Sequence, residues 1–405
     1  MSRICILGGG FGGLYTALSL TRLPWAETPE IILIDKSDRF LFTPLLYELV
    51  TGELQAWEIA PTFADLLADT GIHFVQGHVN DINIADREVS VAIASQIATM
   101  SYDRLLLAIG GETPIDLVPG ASEYAIPFRT LADAQRLEQR LSFLEKSDRE
   151  KIRVCIAGAG ASGIELACKI ADRLKERGRV RIVDRNPTIL PDSTATNRAI
   201  AERALLTRGV WLDLSTSVSE VTEQEVTLDY SSGSDTLPVD IVMWTVGNSF
   251  SRLIQKLHLP HAQRGQILTE PTLQVQSHPD IFAIGDLASC PDENANPLPA
   301  TAQVAFQQAQ YCAFNIWASL HDRDLLPFRY LALGEFICLG TDSAAMSAFG
   351  RFSVDGIPAY VLRRFIYLLR MPTLQHQLKV GFNWIGKPIL EAISSRMPPT
   401  ANQRR

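Results

Sequence analysis

Arg3-Ile4-Cys5-Ile6-Leu7-Gly8-Gly9-Gly10-Phe11-Gly12-Gly13 opens the chain, and its reading decides the rest. Arg3–Leu7 has the apolar run of a buried strand, the glycines follow at once, and residues 14–23 have the composition of a helix. Gly8, Gly10 and Gly13 keep the G-x-G-x-x-G spacing, with Phe11 and Gly12 between. The first glycine allows a tight turn and the second lets backbone approach a pyrophosphate. The third lets helix and strand pack closely, with the helix N-terminus aimed at the phosphates. A second apolar strand, residues 31–34, ends in Asp35, 22 residues after Gly13, and Lys36 follows. A carboxylate there can accept hydrogen bonds from a ribose. A glycine turn alone is often merely structural. Strand, loop, helix, strand and acid in this order predict a dinucleotide site.

The pattern then returns. Residues 152–157 form an apolar strand, Gly158, Gly160 and Gly163 repeat the spacing, and the strand 180–183 ends in Asp184, 21 residues after Gly163. Arg185 comes next, and even the cysteine recurs at the same strand position (Cys5 and Cys155). Two such units imply two dinucleotides, most naturally an electron donor and an electron carrier. Residues 102–111 and 239–247 read as buried strands ending in small residues. Ala108, Gly110 and Gly247 at those ends would lie beside a bound dinucleotide, at the point where strand order reverses.

Other stretches allow two readings each. Residues 72–91 alternate in strand fashion and predict an inserted meander, within which Val79 is expected to touch the cofactor. Residues 40–46 are apolar but broken by Pro44, poor helix material. With Leu45, that segment either covers the core or packs against a flavin ring. Residues 280–286 form a strand ending in Gly-Asp. Asp286 either caps a helix or, with two dinucleotide units present, holds the ribityl chain of FAD, and the second is expected. Gln303 and Gln307 share one face of a helix. They are either solvated or, given their apolar surroundings, polar contacts in a pocket. Residues 129–144 read as a further helix, and the charged run 145–151 as a domain junction.

Bulk properties narrow the class. At 405 residues, two or three domains are expected, and 46% hydrophobic with 20% charged residues is the composition of a soluble globular protein. A net charge of −8 argues against nucleic acid as a partner. The six cysteines are scattered with no C-x-x-C, so neither a disulfide framework nor a zinc site or other metal centre is expected. The first strand begins at residue 3 and no apolar run reaches membrane-spanning length, which predicts a cytoplasmic protein without a leader.

From residue 328 onward the chain fits neither unit. Residues 330–350 predict strands of a small appended domain, and residues 360–370 a helix. Leu362, Phe365, Ile366 and Leu369 fall on one face of that helix, with Arg363, Arg364 and Arg370 largely off it. Residues 378–393 supply a second apolar segment with Phe382 and Trp384. Apolar residues beside arginines suit a helix lying in a membrane interface. Packing in a core or a dimer is the alternative.

Taken together, residues 8–13, 105–110, 158–163, 280–286 and 302–307 resemble the two-dinucleotide-binding flavoproteins of glutathione-reductase-like fold. The segment 42–49, Glu165 and the stretch AQVAFQ at 302–307 are similar to the type II NAD(P)H:quinone oxidoreductases. Residues 3–16, 44–61, 244–247, 311–320 and 372–384 look like their cyanobacterial and plastid demethylphylloquinone reductase branch. The resemblance covers nearly the whole chain. It implies an α/β fold of two Rossmann-like domains and a C-terminal membrane-docking region. Residues 1–125 and 265–327 would bind FAD, residues 126–264 NAD(P)H, and residues 328–405 would serve membrane association and dimerisation. Gly8, Gly10, Gly13 and Asp35 would hold FAD pyrophosphate and ribose, Asp286 the ribityl chain, and Ala302 with Gln303 the isoalloxazine. Gly158, Gly160, Gly163 and Asp184 would hold the nicotinamide nucleotide. Glu165 would sit where nicotinamide meets flavin and handle protons, unless it merely caps and packs its helix. Gln303 and Gln307 would line the quinone tunnel. Asp184 favours NADH, whereas Arg185 could bind a 2′-phosphate, and the branch is associated with NADPH, which is slightly preferred. The implied activity is reduction of a membrane quinone, demethylphylloquinone or more generally plastoquinone or menaquinone, by a peripheral enzyme on the cytoplasmic side. The absence of a cysteine pair after the first unit speaks against a dithiol relay. A soluble ferredoxin reductase and a nucleotide-binding redox regulator are the rivals of other kinds.

Overall fold

Ile4, Cys5, Ile6 and Leu7 are wholly buried because their strand is flanked on both sides, by Glu30–Asp35 and Arg104–Leu107, each parallel to it. A parallel sheet covered on both faces demands such continuous apolar strands. In the computed structural model, which describes residues 2–292, 296, 298–348 and 352–394 (side chains to residue 386), two sheets are built this way. The first has six strands, in the order Gln274–Val275, His278–Ala283, Arg104–Leu107, Arg3–Leu7, Glu30–Asp35, His73–Gln76. All neighbours are parallel except the first two. The second runs Trp211–Leu214, Gly178–Asp184, Ile152–Ala157, Ile241–Trp244, Ala125–Pro127, all parallel. In each, strand order reverses beside the strand that enters the glycine turn, which opens a crevice at its C-terminal end. The boundary expected between residues 125 and 126 falls inside the edge strand Ala125–Pro127.

Each unit also carries a three-stranded antiparallel meander. His78–Asn83, Glu88–Ile93 and Gln96–Ser101 form the first. Ser217–Val221, Glu225–Tyr230 and Gly233–Pro238 form the second, which the sequence did not announce. Its alternation is thin: only Val221, Val226 and Leu228 are buried in its strands. Between residues 40 and 46 the expected irregular segment becomes, from Thr43, a 3-10 helix over Thr43–Leu49. Pro44 sits in its first turn, where a missing N–H breaks no hydrogen bond.

The tail forms a sheet of Glu335–Cys338, Ala344–Ala348 and Phe352–Asp355, then helices Gly356–Leu369 and Leu374–Ser394. Residues 349–351 and 395–405, included in the expected tail region, lie outside the described residues. The arginines of the first helix depart from expectation. Arg363 is fully buried and pairs with the equally buried Glu48 at 2.5 Å, and Arg364 points to Glu53 at 3.8 Å. Buried carboxylates need a counter-charge more than a membrane interface does. The exposed residues are apolar instead: Ile357, Val361, Phe365 and Leu369 at four-residue spacing, joined by Leu374, Leu378 and Phe382. The last helix is held by Glu58, whose Oε1 accepts from Asn383 Nδ2 (3.0 Å) and Trp384 Nε1 (2.8 Å). Among the described residues no helix is long and apolar enough to cross a membrane.

Candidate active site between the two nucleotide units

The two glycine turns are built alike. Gly8 N donates to Ile34 O and Gly158 N to Val183 O, both at 2.8 Å, and each of these glycines takes a positive φ, +100° and +111°. Asp35 Oδ2 accepts from Gly9 N at 2.6 Å, and Asp184 Oδ2 from Ala159 N at 2.7 Å. The other carboxylate oxygen accepts from Ser37 N (2.8 Å) in one unit and Asn186 N (2.7 Å) in the other. Both acids thus brace their loops. A Cβ on Gly13 would lie 1.8 Å from Gly8 O, and one on Gly163 1.9 Å from Gly158 O, so these two glycines serve helix–strand packing. On Gly10 and Gly160 an added Cβ would meet nothing within 4 Å. Packing within the protein does not require glycine there. A phosphate group lying against the backbone does, and the residues present therefore fit a dinucleotide in each turn.

The first turn opens into a cavity of about 1810 Å³. It brings together Gly8, Gly10, Phe11, Gly12, Asp35, Pro44, Ala108, Gly110, Asp286, Ala302 and Gln303 from the first unit. Glu165 and Gly247 reach it from the second unit, and Leu362, Ile366 and Tyr367 from the tail. The remaining expected residues lie elsewhere. Gly13 is buried beneath the turn, and Leu45 is in the core. Lys36 and Val79 do not line the cavity, Val79 packing within the first meander. Gln307 is spent on backbone: its Nε2 donates to Leu331 O (2.9 Å) and its Oε1 accepts from Leu331 N (3.0 Å). Gly158, Gly160, Gly163, Asp184 and Arg185 form the second turn, outside this cavity.

Glu165 stands five residues into its motif helix, Ala161–Leu174, and is nearly buried. Its Oε1 accepts from Cys338 N at 2.7 Å, which fastens the tail sheet to the second unit. Burial pushes its carboxyl up to about 7, against the opposing pull of Arg363 and the Cys338 N–H. A carboxyl so poised can hold and release a proton near neutrality. Across the cavity wall, Tyr47 donates to Ser162 Oγ at 2.9 Å, joining the 3-10 helix to the second unit. All six cysteines are buried free thiols, and burial holds the Cys338 thiol up at about 11, away from thiolate reactivity.

Several participants escaped the sequence. Arg129 pairs with Asp286 at 2.8 Å and donates to Asn248 Oδ1 at 3.1 Å, spanning the two units. Gln308, one residue beyond Gln307, is buried, and its Oε1 accepts from Gly285 N at 2.8 Å, which fixes the turn carrying Asp286. Its apolar-facing register on the helix was the available signal. Arg129 had none, being a lone charge before a helix. Gln303 accepts from Tyr330 OH at 2.6 Å, which orients its amide at the cavity edge.

Comparison with known proteins agrees with this geometry. Residues 2–309 match the model of the pyridine nucleotide-disulphide oxidoreductase family. Over 390 residues the chain is 50% identical to the demethylphylloquinone reductase NdbB of Synechocystis sp., covering 96% of each. It is 41% identical over 428 residues to the alternative NAD(P)H-ubiquinone oxidoreductase C1, chloroplastic/mitochondrial, of Arabidopsis thaliana, covering 97% of this chain and 82% of that one. NDH2 from Plasmodium falciparum, solved in complex with NADH, shares the fold with a TM-score of 0.85 at 18% identity, over 96% of this chain and 98% of that one. With two nucleotide-type glycine turns flanking one cavity and relatives of this kind along its length, the chain belongs to the pyridine nucleotide-disulphide oxidoreductase family.

Proposed function

We propose that the protein is a FAD-dependent NAD(P)H:quinone oxidoreductase of the type II kind, acting on demethylphylloquinone at a membrane surface. One observation carries this reading. A single cavity is lined by the first glycine turn, by Glu165 of the second unit and by apolar side chains of the tail. Residues 1–125 and 265–327 would form the FAD-binding unit, residues 126–264 the NAD(P)H-binding unit and residues 328–405 the docking region. The turn of Gly8, Gly10 and Gly13 would hold the flavin pyrophosphate, Asp35 its ribose and Asp286 its ribityl chain, with Ala302 and Gln303 beside the ring. Gly158, Gly160, Gly163 and Asp184 would take the nicotinamide nucleotide. When bound, the flavin supplies hydride uptake from the nicotinamide and two-electron delivery to the quinone.

The chain's own residues orient, dry and protonate. Phe42, Leu362, Ile366 and Tyr367 give the cavity an apolar wall suited to a lipid-soluble ring and unfavourable to water. Glu165, protonated below about pH 7, holds a proton at the cavity edge for the quinone oxygen. Arg185, directly after Asp184, offers a cation for a 2′-phosphate, which supports NADPH. The outward apolar faces of the two tail helices suit the lipid boundary on the cytoplasmic side, with a second copy as the other occupant. The name of the half-identical Synechocystis relative supports demethylphylloquinone.

The test is anaerobic. The flavin-loaded protein is reduced with one equivalent of NADPH or NADH, quinones are added singly, and flavin reoxidation is timed. Reoxidation at least tenfold faster with demethylphylloquinone than with plastoquinone is expected. Equal rates would point to a general quinone dehydrogenase. No reoxidation by any quinone would overturn the assignment.

A further inference from the structure

The ladder pair two residues before the recurring cysteine differs in sign between the two units. In the first, Arg3 lies opposite Glu30 and bonds it at 2.6 Å. In the second, the equivalent pair is Arg153 opposite Arg179, two like charges facing across a parallel ladder. Such a pair destabilises a sheet unless an anion intervenes. Arg153 makes no ion pair among the described residues, and Arg179 reaches only backbone, donating to Gly178 O at 2.9 Å and Glu176 O at 3.3 Å. Lys151 joins them, its Nζ donating to Glu176 O at 3.1 Å.

These three cations edge a separate cleft of about 310 Å³, on the sheet face that the second meander covers only in part. Val226, Leu237 and Pro238 of the meander supply its apolar side. Trp211, 49% exposed, forms another side, with the Arg181 guanidinium 5.7 Å above its ring. Arg181 is ion-paired with Asp213, and the neighbouring Asp240 carboxylate is taken up by the Arg153 backbone N–H (2.7 Å) and by Arg149, while no carboxylate lines the cleft itself. Four cations converge here in a chain of net charge −8. On the corresponding face of the first unit, Phe250, Ile254, Leu257 and Leu259 pack in one apolar cluster with Cys5, Leu7, Ile32 and Ile34.

We propose that this cleft binds a small phosphorylated ligand with a flat ring, of the nucleoside monophosphate class. The phosphate would lie among Lys151, Arg153 and Arg179, relieving their repulsion, and the ring would lie on Trp211 and the apolar wall. The site is distinct from both glycine turns, since it occupies the opposite, N-terminal ends of strands Ile152–Ala157 and Gly178–Asp184.

The experiment uses the full-length flavin-loaded protein with its nicotinamide site saturated by NADP+, titrated calorimetrically with AMP and, separately, with inorganic pyrophosphate. One additional AMP per chain is expected. The Arg153→Gln/Arg179→Gln variant should weaken it at least tenfold while leaving the KM for NADPH unchanged. Trp211→Ala should weaken AMP severalfold and leave pyrophosphate unaffected. Arg179→Glu recreates the ion pair of the first unit, so it should raise the melting temperature and abolish AMP binding together, which separates lost binding from lost folding. No additional heat with AMP, or AMP binding that survives both arginine variants, would overturn the proposal. Equal affinity for AMP and pyrophosphate, unmoved by Trp211→Ala, would overturn the nucleotide assignment.

Discussion

Laid over one another, the two glycine turns share their strand-to-loop hydrogen bonds, their left-handed first glycine and their braced acid, yet their helices meet different neighbours. The first motif helix, Phe11–Leu20, is covered by the helix Ala302–Ser319, and Thr16 Oγ1 donates to Gly12 O at 2.7 Å and lies 3.3 Å from Ala309 O. Five residues past its second glycine stands Tyr15, whose hydroxyl donates to Arg370 O. The same position in the second helix is Glu165, facing the shared cavity. The backbone geometry is common to both turns, while the side chain at this position differs: on the proposed reading, Tyr15 only anchors its unit and Glu165 also moves protons.

Six substitutions would break or sharpen this comparison. Gly13→Ala and Gly163→Ala press a Cβ against a carbonyl in each unit, and the largest effects are expected here. Gly13→Ala should yield protein retaining about a hundredth of the flavin or less, whereas Gly163→Ala should keep flavin absorbance but resist reduction by NADPH. Equal flavin loss in both would contradict the division of labour. Next, Glu165→Gln should lower kcat about 10²-fold with the KM for NADPH unchanged. In the parent enzyme, activity should fall as pH rises through about 7, as the donor proton is lost, and the variant should lose that limb.

The same carboxyl has a stability consequence whose sign follows from linkage. The unfolded chain releases this proton near 4.5 and the native protein near 7, so the native state binds more protons between those values. Its contribution to stability is present at low pH and lost as pH rises across that window. A melting temperature that falls with pH less steeply between about 4.5 and 7 in Glu165→Gln than in the parent would confirm it, and an unchanged slope would refute it. Smaller effects are expected of Gly10→Ala and Gly160→Ala, which meet open space and should leave melting temperatures unaltered. Each should weaken only its own nucleotide about tenfold, or ~1.4 kcal/mol. The smallest belongs to Tyr15→Phe, which removes a single hydrogen bond worth about 1 kcal/mol and should leave kcat unchanged. A kcat loss like that of Glu165→Gln would show that the first unit also takes part in the chemistry.

What could be read in the sequence was local. The glycine spacings, the apolar strands and Asp35 and Asp184 at a fixed distance all lie within short windows, where sterics dictate residue type. Asp286 could be read at the end of its strand and Glu165 from the resemblance of its stretch to the type II enzymes, and both line the cavity. The rest depended on partners far along the chain. Arg363 looks like a surface arginine on an amphipathic helix until Glu48, in the first unit, is seen beside it. Gln307 and Gln308 differ by one helical step, and the second, not the first, braces the turn before Asp286; its apolar-facing register hinted at burial but not at this partner. The second meander escaped because its polar strands carry too few buried residues to alternate visibly.

The Glu48–Arg363 pair also bears on how the protein is made. Glu48 leaves the ribosome early, and its counter-ion follows more than three hundred residues later (|i−j| = 315). The first nucleotide unit can fold during synthesis, but its cavity wall is completed only when residues 356–369 arrive and Arg363 enters beside Glu48. Until then the cavity lacks the side it borrows from the tail, which leaves a natural interval for cofactor loading. Docking of the tail closes that side and leaves Ile357, Val361, Phe365 and Leu369 on its outer face.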